Sequence, residues 1–179
     1  MGFCENSKAK VGQTMKWTFR WGSHIPVLIE VMRETEKDVL EIGMGVYGSP
    51  VLHWMCASKD RRLVSYENNK RYFDLFQNGL NKLHEVYFVE DLFDIDISQE
   101  WDIAFIDSAP MEQRAIIASR ITNNCKFVIV HDSEAREEKY YHYKEILYPL
   151  FKYNYAYTKF KPNTTVFSNF ENLDFLNKL

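Results

Sequence analysis

A surplus of charge of either sign is missing from this sequence. Across 179 residues, 22 Lys and Arg stand against 25 Asp and Glu, a formal net charge of −3. Binding a phosphate backbone through released counterions needs a basic excess, so the balance argues against a nucleic-acid partner. Long apolar runs are absent as well. Residues 127–130 form one of the longest, far short of the stretch that spans a bilayer, so no membrane partner is expected. The three cysteines, Cys4, Cys56 and Cys125, are scattered and make no CxxC pair. That excludes a disulfide framework and a structural zinc site, and leaves Cys56 and Cys125 as small buried side chains in apolar context. Residues 1–10 carry charge with no apolar core behind it, unlike a secretory signal, and Asn6 stands where an N-myristoylation signal has Ser or Thr. A cytosolic protein is expected.

Aromatic residues reach 16% and crowd residues 140–175. Without a basic patch beside them, strands packed on a core explain them better than a base-stacking platform. No repeat, low-complexity tract or Pro/Gly/Ser linker divides the chain. Apolar residues at 25, 27, 28, 29, 31 and 32 predict a helix over 25–35, with Ser23 as N-cap and Pro26 in its first turn. The run 38–43 reads as a buried strand ending in glycine, followed by a helix over 49–57 that Ser49 would cap. Strands over 63–66, 85–89, 101–106 and 126–130 then alternate with helices over 68–80, 111–121 and 136–151, the second of these helices lying between the last two strands. This alternation predicts an α/β fold: a single doubly wound, mostly parallel sheet with helices on both faces. The β-rich runs 155–161 and 164–169, separated by Pro162 and Asn163, predict a C-terminal antiparallel hairpin.

Sheets of this kind bind ligands at the carboxyl ends of their strands, near the reversal of strand order. At the first such end Gly43, Gly45 and Gly48 follow Glu41, spaced as G-x-G-x-x-G between a predicted strand and a predicted helix. Glycines there permit a tight turn and close approach of a ligand, although the pattern alone is weak. Glu67 ends the next strand, 24 residues after Gly43, where a carboxylate can accept hydrogen bonds from a ribose diol. Both a nicotinamide dinucleotide and S-adenosylmethionine (SAM) fit these features. Glu41, two residues before the first glycine, takes a place where dinucleotide binders usually hold an apolar residue. The chain also offers no separate substrate domain for a dehydrogenase.

Over roughly residues 38–170 the sequence resembles the class I SAM-dependent methyltransferases. The resemblance rests on residues 39–45, on Glu67, on Glu90 and Asp91 after the third strand, on Ile106 and Asp107 after the fourth, and on the hairpin tail. It implies residues 1–37 as an N-terminal arm and lid helix, and 38–179 as the methyltransferase domain. It also implies SAM as cofactor, with Gly43 and Gly45 under the methionine part, Glu67 at the ribose, and Gly48 and Asn68 among the cofactor-binding residues. Asp91 falls near the adenine and Glu41 would orient the amino group. Tyr47 departs from the small residue common in that loop, and either covers the cofactor or packs between helix and sheet.

For the acceptor, the fourth and fifth strand ends offer Asp107, His131 and Asp132, with Ser133 beside them. Strand alternation would present only one of His131 and Asp132 to the cleft unless the strand has ended. His131 is the expected base. In similar methyltransferases acids after strands four and five hold a divalent cation, which would make Asp107 and Asp132 ligands of Mg²⁺. Ser133 stands where that group often has Asn, so the metal-free site is favoured. Arg114 is a candidate clamp for an acidic acceptor, and Trp17, Trp21 and His24 are candidates for a lid over the site. Arg61, Arg62 and residues 136–139 read as solvated charge, and His53, His84 and His142 as surface or satisfied core positions. The expected function is methylation of a small molecule, at oxygen in the first instance. The rivals are a catalytically silent SAM- or nucleotide-binding module and, third, an NAD-dependent oxidoreductase.

Overall fold

The computed structural model describes residues 19–77 and 81–179. Cys4, Trp17 and the helix end expected near Gly79 therefore lie outside the described residues. The chain builds one seven-stranded sheet from β1 (Val39–Ile42), β2 (Leu63–Glu67), β3 (His84–Phe88), β4 (Trp101–Ile106), β5 (Cys125–His131), β6 (Tyr153–Tyr157) and β7 (Thr164–Ser168). The order is β3-β2-β1-β4-β5-β7-β6. All pairings from β3 to β5 are parallel, and β7 runs antiparallel between β5 and β6. Strand order reverses at β1, so the crevice between the carboxyl ends of β1 and β4 is where this topology places a ligand.

Alternating side chains feed two cores. Leu40, Ile42, Ala104, Ile106, Val128 and Val130 face one layer, which α4 (Gln113–Ser119) and the segment 141–151 cover. Val39, Ile103, Phe105, Phe127 and Ile129 face the other, under α1 (Ile25–Arg33) and α2 (Gly48–Ala57). A strand covered on both faces needs the near-continuous apolar runs that these segments carry. Each fully buried side chain of this size contributes about 1.5–3 kcal/mol. Among the described residues no helix is long and apolar enough to cross a membrane.

Several expectations are corrected. The helix over 25–35 is shorter and is no lid: Val27, Leu28, Val31 and Met32 are fully buried against the sheet, so α1 belongs to the core. Ser23 does not cap it; His24 holds the N-cap position without a side-chain hydrogen bond, because Ser23 is engaged elsewhere. Likewise α2 starts at Gly48, with Ser49 turned inward instead of capping.

The long helix over 136–151 is broken into a 3₁₀ turn (Ala135–Glu137), α5 (Glu138–Tyr141) and α6 (Tyr143–Ile146). At the break His142 is left-handed, with φ +54°. The cause is the pair Tyr141 and Tyr143, both buried and stacked with ring centroids 5.0 Å apart. Residues two apart point to opposite sides of a continuous helix, so the helix must break to bring both rings to one face. Nor is Arg61 solvated. It is buried, and its guanidinium donates to the carbonyls of Met32, Thr35 and Lys37, closing the end of α1. A third shortened helix, α3 (Lys70–Phe76), is capped by Asn69, whose side chain accepts from the Arg71 amide at 3.0 Å.

Gly43 holds the two sides of the crevice together. Its φ is +88°, and a Cβ there would lie 2.5 Å from Ser108 Cα. Backbone thus meets backbone where β1 and β4 end. Gly43→Ala should lower stability by about 3 kcal/mol or more, since strain and a backbone clash add. Gly45→Ala, with nothing within 4 Å of its Cβ, should leave the denaturation midpoint unchanged. Chemical denaturation of both variants checks the contrast.

Candidate functional site

The loop after β1 is held from beneath by a buried carboxylate. Glu41, fully buried, accepts from Ser49 Oγ at 2.7 Å and from Ser65 Oγ at 2.6 Å. Ser49 Oγ in turn accepts from the Gly45 amide at 2.9 Å, so Glu41 fixes the glycine loop through one hydroxyl. Ser65 also meets His84 Nε2 at 2.8 Å, and His84 Nδ1 meets His53 Nδ1 at 3.0 Å. The two histidines, distant in sequence, therefore belong to one hydrogen-bonded chain. Burial pushes the Glu41 carboxyl up to about 7 despite its two serine donors, and burial with the neighbouring His53 pushes His84 down to about 4.

Glu67 ends β2 with both oxygens on backbone: Oε2 accepts from the Met44 amide at 2.6 Å and Oε1 from the Asn69 amide at 2.5 Å. It thereby ties the glycine loop to the start of α3. Burial raises its pKa, partly offset by those amides. Asn68 donates through Nδ2 to the Ala109 carbonyl at 2.7 Å, which joins the β2 and β4 ends. Asp91 is exposed and caps a short 3₁₀ turn (Leu92–Asp94) by accepting from the Phe93 amide at 2.9 Å.

Across the crevice, β5 ends at His131, and Asp132 turns into the left-handed region with φ +58°. The strand has ended, so His131 and Asp132 both line the cleft with Asp107. Arg114 lies behind them and differs from its expected place as an acceptor clamp. It is buried; Nη2 pairs with Asp107 Oδ1 at 2.9 Å and Nη1 with Asp132 Oδ2 at 3.0 Å, while Nε donates to the Ser108 carbonyl at 2.5 Å. Its guanidinium sits over the Tyr141 ring at 5.0 Å, and the Tyr141 hydroxyl donates to Asp132 at 3.1 Å. The fork takes one oxygen of each carboxylate, and the other two, Asp107 Oδ2 and Asp132 Oδ1, face His131.

His131 also differs from its expected role as base. Ser23 Oγ donates to the Pro162 carbonyl at 2.6 Å, so at His131 Nε2, 2.9 Å away, Ser23 must accept. Nε2 therefore carries hydrogen, and Nδ1 faces Asp107 Oδ2 at 3.3 Å and Asp132 Oδ1 at 3.8 Å. Burial lowers the pKa of this ring, but the hydrogen bond and charge of Asp107, with Asp132, outweigh it and raise the pKa overall. Burial works against the Asp107 carboxylate too, yet Arg114 and His131 hold it down at about 2. With one nitrogen bonded to Ser23 and the other facing carboxylates, His131 has no lone pair free for an acceptor.

His24 packs against Phe105 and edge-on to His131, with ring centroids 4.8 and 4.7 Å away. It is buried, and neither ring nitrogen has a hydrogen-bond partner. Burial, with the His131 charge, pushes its pKa down to about 3, so the ring is neutral.

A cleft of about 430 Å³ joins these parts, lined by Gly43, Gly45, Gly48, His24, Asp107, His131 and Asp132 among others. Trp21, 62% exposed, stands at its rim. Glu41, Glu67, Asn68, Asp91 and Arg114 do not line it. Sequence reasoning missed Arg20, Met44, Tyr72, Phe105 and Pro162, which also line it. Pro162 carried a turn signal and Phe105 an inward strand position, but nothing in either residue announced a cleft.

No protein-family model matches this sequence, and no curated protein matches it. Solved structures do. The fold is similar to human methyltransferase-like protein 13 in complex with SAH (12% identity, 89% of this chain and 88% of that one, TM-score 0.64). It is similar to a Staphylococcus aureus protein described as a caffeoyl-CoA O-methyltransferase (16% identity, 84% and 83%, TM-score 0.60) and to the METTL16 catalytic domain in complex with the MAT2A 3′UTR hairpin 1 (11% identity, 83% and 70%, TM-score 0.60). The chain has the class I methyltransferase fold.

Two outcomes follow from the buried charges. A Glu41 pKa near 7 means that the folded state keeps a proton which the unfolded chain releases near 4.5. Stability from this group is full below about pH 4.5 and is lost as pH rises through 7, by about 3 kcal/mol. The stability difference between wild type and Glu41→Gln, measured by urea denaturation from pH 4.5 to 8, should shift by that amount against the wild type. Arg114→Met leaves two carboxylates without their cation and should cost about 3–5 kcal/mol in the same assay.

Proposed function

We propose that this chain is a SAM-dependent methyltransferase that methylates a small molecule, at oxygen. The observation that carries the reading is the open cradle at Gly45: the loop after β1 presents bare backbone to the cleft there, with no atom within 4 Å of where a Cβ would stand. A fold neighbour solved with SAH supports SAM as the ligand of that cradle. When bound, SAM supplies an electrophilic methyl group for in-line displacement, so the protein's task is chiefly positioning.

In this reading the Gly43–Gly45 backbone holds the methionine end and Glu41 fixes the loop through Ser49. Glu67 keeps lone pairs for the ribose, with Asn68 alongside, and Asp91 lies toward the adenine. Gly48 acts through packing: a Cβ there would meet Phe105 at 2.9 Å and His24 at 3.3 Å, so its absence lets both rings reach the cleft. The acceptor would enter between His24 and Asp132, under Trp21. The METTL16 neighbour was solved with an RNA hairpin, but here the acceptor end is walled by Asp107 and Asp132 on a chain of net charge −3. An acidic wall favours a small neutral or cationic acceptor over a polyanion.

Calorimetric titration with SAM, S-adenosylhomocysteine and NAD tests the cofactor, and S-adenosylhomocysteine release over a panel of phenols, sugars and RNA tests the acceptor. Gly45→Val should abolish S-adenosylhomocysteine binding while the melting temperature stays at the wild-type value. Glu67→Gln should weaken it by about tenfold or more, the loss of a charge-assisted hydrogen bond. NAD binding without SAM binding, or unimpaired binding by Gly45→Val, would overturn the reading. Binding without turnover of any acceptor would leave the silent module.

A further inference from the structure

The geometry points to a site for a first-row divalent transition-metal ion between His24, Asp107 and His131, at the acceptor end of the cleft. The three residues come from the start of α1 and the ends of β4 and β5, so only the folded chain assembles them. One ligand atom from each lies within 4.8 Å of the others. His131 Nδ1 and Asp107 Oδ2, 3.3 Å apart, already have the separation of two ligands on one tetrahedral ion with bonds of about 2.0–2.1 Å. His24 needs to move closer by at most about 1.4 Å to reach the roughly 3.4 Å spacing of such ligands.

One feature says that something belongs there, and a second shows how it would be held. His24 is buried with both ring nitrogens unpartnered, a costly arrangement unless a ligand completes it. The commitment of Ser23 to Pro162 puts a hydrogen of His131 on Nε2, which leaves Nδ1, facing Asp107, as the nitrogen that an ion would take in exchange for a proton. A cation between them would replace that shared proton with two coordinate bonds. The outer partners suit the purpose: Ser23 accepts from the far nitrogen of His131, and Arg114 donates to the far oxygen of Asp107. Asp107 and Asp132, less the charge of Arg114, leave one net negative charge for the ion.

Two imidazoles and one carboxylate suit Zn²⁺, Fe²⁺ or Co²⁺, whereas Mg²⁺ asks for oxygen ligands. Three protein ligands leave a fourth position open to the cleft, the pattern of a catalytic site. The role of the ion rests on the methyltransferase reading. An acceptor hydroxyl at the open position loses its proton to water, its oxygen–carbon bond forms as the sulfur–methyl bond breaks, and S-adenosylhomocysteine is released.

Metal binding is measured without SAM, so its failure is separable from failure of that reading, which titration with S-adenosylhomocysteine decides. The full chain, stripped with chelator, is titrated with Co²⁺ and Zn²⁺, and the zinc-loaded protein is examined by X-ray absorption. One equivalent should bind, with two imidazoles in the zinc shell, and equimolar Mg²⁺ should not displace Co²⁺. His24→Ala should weaken binding at least tenfold; His24→Gln serves if that variant melts early. His53→Ala removes the His53–His84 imidazole pair and should leave the Co²⁺ affinity at the wild-type value. No binding, an oxygen-only shell in the wild type, or binding that depends on His53 and not His24 would overturn the proposal.

Discussion

One buried guanidinium organises the acceptor half of this molecule. Arg114 reaches from α4 to the ends of β4 and β5, where it meets two carboxylates and the carbonyls of Ser108 and His131. Strand ends are where a sheet stops satisfying its own backbone, and at this crevice the fork of Arg114 takes over. The arginine bridges Asp107 and Asp132 and, with His131, keeps the Asp107 carboxyl ionised. The direction of Asp107 then sets that of His131, and His131 with Ser23 ties the loop at Pro162 to the same point.

The glycine loop is organised by the opposite device, a carboxylate in place of a cation. Glu41 carries no cationic partner among its hydrogen bonds; two serine hydroxyls satisfy it, and the loop amide at Gly45 rests on one of them. Glu67 repeats this one strand over with backbone amides. The cofactor side is therefore braced by acceptors and the acceptor side by a donor, and the boundary between the two runs along Gly43, where β1 and β4 touch.

Much of this was legible in the sequence. The alternation of strands and helices, the hairpin tail and the glycine loop are dictated locally, by apolar period and by residues that permit turns. Glu67, Asp107 and Asp132 were legible because strand ends in such a sheet are addresses in themselves. What could not be read depends on partners remote in the chain. Arg114 looks like an exposed helix start until two strand ends close on it. Ser23 looks like a cap until Pro162, 139 residues away, claims its hydroxyl. Residues 136–151 have the composition of one helix, and only the demand that Tyr141 and Tyr143 stack on one side breaks it.

The position of β7 has a consequence for how the sheet can be completed. β7 is paired on both sides, with β5 and with β6, although β6 precedes it in the chain. During synthesis the outer edge of β5, with its row of unpaired amides and carbonyls, stays open until residues 164–168 emerge, and β6 has no neighbour before then. The central parallel strands can assemble as they are made, but closing this edge is a late, non-local event. Because His131 pairs with Thr164 at that seam, the acceptor end of the cleft is finished last.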